Sequence, residues 1–194
     1  MAISYPRDLP SHTGIRNVEL RAVSATAYDM SPFTFGGTSY EYDGQMWQAD
    51  LTLPPMRRSD AEVWLAWLLS LRGRAKTFLL GDPLCATPRG TATSATVTGT
   101  TGSGTLSVTM TGTLLAGDYI QLGSASSATL HKVLEDQDGD GNLEIWPHLR
   151  RDVTAESATL SNTVGVFRLA SNEQAWSINE ASIYGITFGA VEAI

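Results

Sequence analysis

The chain has 194 residues, one cysteine (Cys85) and a formal net charge of -7. That length supports one large or two small domains with a packed core and no covalent help, and the lone cysteine excludes both an intrachain disulfide and a Cys-rich zinc site. The acid excess is uneven: residues 1–90 hold nine Lys/Arg and nine Asp/Glu, residues 91–165 three and eight, and residues 166–194 one and three, a balance that argues against tight nucleic-acid binding, which needs a basic face.

The opening MAISYPRDLP lacks the apolar stretch of a secretory signal. The apolar run near Trp64–Leu69 is far too short to span a bilayer, so a soluble protein without membrane insertion is expected. Residues 15–23 alternate Ile15, Val18, Leu20 and Ala22 with Arg16, Glu19 and Arg21. That pattern predicts a half-buried strand, with a bulge at the step from 15 to 18. Tyr40 and Tyr42 lead to Asp43-Gly44, a step that favours tight reversals, so residues 38–53 read as a hairpin ended by Pro54-Pro55.

The strongest local signal follows. Ser59 and Glu62 stand at capping-box spacing, Trp64, Trp67, Leu68 and Leu71 recur at helical spacing with Leu65 and Leu69 widening the stripe, and Gly73 sits at a C′ position. A helix over about 60–72, docked on a sheet, is predicted. The two tryptophans read as core residues, a ligand platform being the minor alternative. TFLLGDP (77–83) then reads as a buried strand running into a turn.

After Pro88-Arg89-Gly90 the chain becomes rich in Thr, Ser, Gly and Ala with thin alternation of larger side chains. Threonine suits strands, so this is not a disordered linker. Short strands are predicted at 117–123, 129–135, 142–147, 157–162 and 165–170, the signature of a small sandwich or barrel. The tail from Trp176 alternates again, with Ile183, Ile186 and Phe188 as core candidates. The expected architecture is mainly β: a β-sandwich domain with one helix (residues 1–90 plus 166–194), interrupted by an inserted small β-barrel domain (91–165).

Signals for chemistry are few. Asp136, Asp138 and Asp140 imitate a calcium loop, but Pro147 falls where the bidentate twelfth ligand belongs and the flanks are strand-like. A hairpin tip closed by Asp140-Gly141 is the simpler reading, with weak calcium binding as the alternative. His12, His131 and His148 are scattered and do not match zinc-ligand spacing. No GxSxG elbow occurs, Cys85 has no neighbouring histidine, and GTTGSGT (99–105) lacks the lysine and helix of a phosphate loop. No catalytic residue, metal ligand or cofactor site is therefore assigned, and an enzyme is not expected. A basic cluster remains: Arg57, Arg58, Arg72 and Arg74, with Lys76, bracket the helix. They either answer the helix dipole at its C-terminus or contact carboxylates of another subunit.

The order LPPM (53–56), AEVWLAWLLSLRGRAKTFLLGDP (61–83), PRG (88–90), a Thr/Gly-rich β insertion, EIWPHLR (144–150) and GVFRL (165–169) resembles the distal tail proteins of long-tailed, siphovirus-like bacteriophages. The resemblance spans most of the chain. It implies a structural virion protein, made in the host cytoplasm, whose six copies form a ring joining the tail tube to the baseplate hub or tail tip and passing DNA. It also implies a β-sandwich first domain with one helix and an outward-facing inserted barrel, which in some relatives binds carbohydrate. Two rivals follow: a carbohydrate-binding host-attachment module, with Tyr119 and Trp146 as exposed-aromatic candidates for glycan contact, and a tail-associated hydrolase, for which no residues stand out.

Overall fold

Alternating side chains build the larger sheet. The computed structural model describes residues 3–11 and 14–194. Strand β1 (Asn17–Met30) pairs antiparallel with β2 (Gly37–Thr52), from Asn17 opposite Thr52 to Met30 opposite Gly37. After Pro54-Pro55 the chain resumes the same line as β3 (Met56–Arg57), and β2 and β3 both pair with β15 (Ile183–Glu192). On the far side of β15 lie β13 (Gly165–Leu169) and β14 (Trp176–Ile178), and β4 (Thr77–Leu80) closes that edge against β13. The order is β1-β2-β15-β13-β4.

One face of this sheet is apolar. Trp47, Ala49 and Leu51 alternate inward on β2, with Tyr184, Ile186, Phe188 and Ala190 opposite them on β15. Helix α1 (Arg58–Ser70) covers one end of that face, where Trp64 and Trp67 pack around Phe188 and Phe78 with ring centroids 5.1–6.4 Å apart. Each such side chain is worth roughly 1.5–3 kcal/mol on burial. The other face carries Arg21, Asp50 and Thr187 and meets solvent, as antiparallel sheets allow.

The remaining strands curl into a second unit. They are β5 (Ala95–Gly99), β6 (Thr105–Met110), β8 (Tyr119–Leu122), β9 (Thr129–Val133), β11 (Gly141–Trp146) and β12 (Val153–Ala158), in the order β12-β5-β6-β11-β9-β8. Paired backbone hydrogen bonds of 2.9 Å between Gln121 and Thr159 draw the ends together, so the sheet is nearly closed and barrel-like. A small ribbon of β7 (Thr113–Leu114) and β10 (Gln137–Asp138) flanks it. Its core is separate (Val97, Leu106, Val108, Ile120, Leu143, Ile145), yet Tyr119 and Leu130 of this unit belong to the core of the larger sheet. The described residues form a mainly β fold with one α-helix and a barrel-like sheet, as expected from the sequence.

Several local expectations need correction. Asp43-Gly44 does not close a hairpin. The reversal lies at 31–36, where Ser31 N–H donates to the Gly36 carbonyl and Phe35 takes a positive φ of 56°. Register jumps from Ser24/Gln45 to Thr26/Glu41, so Tyr42-Asp43-Gly44 form a bulge opposite Ala25. A turn at 43–44 would leave Thr26–Met30 without partners, and the bulge expected between 15 and 18 lies here instead. The helix begins at Arg58, with Arg57 as its extended N-cap and no side-chain cap bond. Ser59 cannot cap because β3 is hydrogen-bonded to β15 up to Arg57, which fixes where the chain turns helical. At the other end the left-handed position falls on Arg72 (φ 52°), one residue before Gly73 (φ 63°). Leu69 points to solvent from the outer helix face, and Ile183 is partly exposed at the start of β15. The strand expected at 157–162 runs from Val153 to Ala158, and the acidic turn takes its positive φ at Gly139 rather than Gly141.

Candidate interaction surfaces

The arginines around the helix separate into two pairs. Arg57 and Arg58 stand at its N-terminal end beside a groove of about 620 Å³ formed with Pro55, Met56 and Ile183. Arg58 reaches Glu62 one turn on, at 3.2 Å, in an exposed pair. Arg72 and Arg74 are exposed at the other end, where Arg74 N–H donates to the Asn172 amide oxygen at 3.0 Å.

The two aromatics proposed for glycan contact are not exposed platforms. Tyr119 is 5% exposed, and its hydroxyl accepts a 3.1 Å hydrogen bond from Lys132, whose Nζ lies 4.4 Å from the ring centroid. Burial pushes its phenol above the ordinary tyrosine range, with Lys132 opposing. Trp146 is half-buried, edge-on to Trp47 at 4.6 Å and 87°, and donates to Ser24 Oγ at 3.3 Å. Both rings lie where the barrel meets the sheet, packed against Trp47 of the larger core.

That junction holds a buried polar network. Arg150 binds Glu192 through both carboxylate oxygens, at 2.7 and 2.8 Å, and also donates to the Gln45 carbonyl at 2.8 Å. The Glu192 side chain is 3% exposed and accepts the Trp47 backbone N–H at 2.9 Å. Trp47 Nε1 donates to the Leu130 carbonyl at 2.9 Å, and the Gln45 side chain accepts His148 N–H at 2.8 Å. Nothing in the spacing of Gln45, Arg150 and Glu192 along the chain betrays this.

The calcium-like aspartates are engaged by the backbone. Asp136 accepts Ala116 N–H at 2.7 Å and Asp140 accepts Met110 N–H at 2.8 Å. Among the described residues no group of three or more His, Cys, Asp or Glu could hold a metal ion. His131 is buried, with Nδ1 donating to the Pro147 carbonyl at 2.7 Å and Nε2 accepting from Thr129 Oγ1 at 2.9 Å. Burial holds its pKa at about 4, so the ring is neutral. His12 lies outside the described residues. The Cys85 thiol is pushed up by burial and by Asp82, which disfavours the nucleophilic thiolate. No helix is long and apolar enough to cross a membrane among the described residues.

The surface that sequence reasoning missed is the outer half of the β1/β2 hairpin. Beyond the Ser24/Gln45 pair the two strands leave the core as a ribbon without a second layer. Tyr28, Met30, Phe33, Phe35, Tyr40 and Tyr42 are all exposed on it, Phe33 to 91%. A signal was available: residues 22–56 contain Asp29, Glu41, Asp43 and Asp50 and no Lys or Arg. No family model matches the chain, and no curated protein sequence matches it.

Proposed function

We propose that this chain is a structural subunit of a phage tail, six copies of which close a ring between the tail tube and the baseplate hub or tail tip. The observation that carries the reading is the aromatic ribbon of residues 25–44. An apolar surface of this kind on a slender projection gains nothing in an isolated monomer and is the mark of a surface kept for association. A long edge strand with unpaired backbone groups and no proline, as on β1, serves the same end. The number six and the position in the tail come from the resemblance of LPPM, LLSLRG and TFLLGDP to distal tail proteins. The cation-free stretch 22–56 suits a passage for DNA, since phosphate is held by cationic contacts. Residues 91–165 form the outward barrel, and no enzymatic step is assigned.

Replacing residues 25–44 by Asn-Gly, which closes a tight reversal on the Ser24/Gln45 pair, tests this directly. The shortened chain is expected to keep its thermal transition within a few degrees, because the removed residues lie outside the core. It should fail to form rings in electron micrographs or to complete tails assembled with the other tail proteins. Rings from the shortened chain, or a map of the tail showing a trimeric fibre or a single peripheral copy, would refute the reading.

A further inference from the structure

The N-terminal end of α1 is electrostatically unfinished. It is the positive end of the helix dipole, yet Arg57 and Arg58 stand there, and among the described residues the N-cap Arg57 makes no side-chain cap bond. Asp60 offsets part of this charge, and the exposed Arg58–Glu62 pair is weak. Arg57 has no ion-pair partner among the described residues. Beside the two guanidinium groups lies the open groove with an apolar side formed by Pro55, Met56 and Ile183.

The ribbon is the chemical converse. It projects apolar rings together with Asp29, Glu41 and Asp43, none of which has an ion-pair partner among the described residues. The two surfaces cannot meet within one molecule. β2 and β3 run in one line along β15, placing Tyr40 and Arg57 at opposite ends, roughly 50 Å apart at about 3.3 Å per residue.

Resting on the ring reading, we propose that the ribbon of one copy docks into the Arg57–Arg58 groove of a neighbouring copy. The rings of Phe33 and Phe35 lie against Pro55 and Ile183, and the ribbon carboxylates face the two arginines and the open helix turn. The contact is head-to-tail, joining unlike surfaces at opposite ends of the protomer, so its repetition closes into a ring when the rotation between copies allows.

The test uses full-length protein with Cys85→Ser and two single-cysteine variants, Thr34→Cys on the ribbon and Ser59→Cys at the groove, mixed and oxidised at assembling concentration. The mixed disulfide pair is expected to exceed a Thr34→Cys plus Leu134→Cys control by about tenfold. Arg57→Glu with Arg58→Glu should bring it down to the control by a similar factor, and Glu41→Arg with Asp43→Arg on the partner should restore it, because reversed charges discriminate partners strongly. Assembled protein in which ribbon-to-ribbon pairs dominate, or in which ribbon-to-groove pairs stay at the control level, overturns the docking and leaves the ring. Protein that sediments only as a monomer and cross-links at the control level overturns both.

Discussion

At the scale of single residues, His131 shows how burial turns a titratable ring into a structural one. Both nitrogens are engaged, and the folded pKa of about 4 lies below the ordinary value of 6.5. The unfolded chain therefore binds the proton first as pH falls. Stability from this residue is complete above about pH 6.5 and is lost progressively down to about pH 4, a difference on the order of 3 kcal/mol. His131→Gln should flatten that part of the curve. Melting temperatures measured at intervals between pH 7.5 and 4 should fall more steeply for the native chain than for the variant, and parallel curves would contradict the assignment. The same scale sets the limit of reading the sequence for sites. Arg57 and Arg58 stood out because charge is visible in a sequence. Tyr119 and Trp146 did not reveal their burial, because exposure depends on what folds over a residue from elsewhere in the chain.

At the scale of elements, the helix was legible and the hairpin was not. Trp64, Trp67, Leu68 and Leu71 carry a period that only a helix satisfies. Its first residue was missed because a strand pairing, not a cap, decides where it begins. Asp43-Gly44 misled because the residues that favour a tight reversal also fit a bulge, and only the partner strand distinguishes the two. The acidic stretch does connect strands, but Asp140-Gly141 closes no hairpin: β10 pairs with β7, β11 pairs with β6 and β9, and the left-handed residue is Gly139. Asp136 holds the Ala116 N–H and Asp140 the Met110 N–H at the end of β6, so chelator should leave the melting temperature unchanged. Asp140→Ala should cost about 1–3 kcal/mol through the Met110 N–H it leaves unpaired, whereas Asp138→Ala should cost little. A chelator-induced drop of many degrees would reverse the assignment.

At the scale of the whole molecule, the change of composition at Gly90 marks where the barrel strands begin, but it does not mark where cores end. Tyr119 and Leu130 pack into the larger core, and Arg150 neutralises a carboxylate buried in the sheet. Replacing residues 91–165 by a Gly/Ser linker should therefore destabilise the remainder by about 3–5 kcal/mol from the stranded Glu192 alone. The same truncation with Glu192→Gln should melt at a higher temperature. Equal melting of the two would mean that the orphaned carboxylate finds water without cost. The shared network is invisible in a linear reading because its members lie on β2, β15 and the segment after β11.

The two crossings between sheet and barrel also decide how the molecule bears force. The chain leaves for the barrel after β4 and returns at β13, and these strands are antiparallel neighbours with Leu80 opposite Gly165. A pull on the barrel thus draws both strands lengthwise from the same end. The hydrogen bonds of β13 to β15 at Phe167, Arg168 and Leu169, and those of β4 to Arg7, are loaded together in shear rather than peeled one rung at a time. A load on the barrel would therefore pass into the sheet as a whole rather than into one strand.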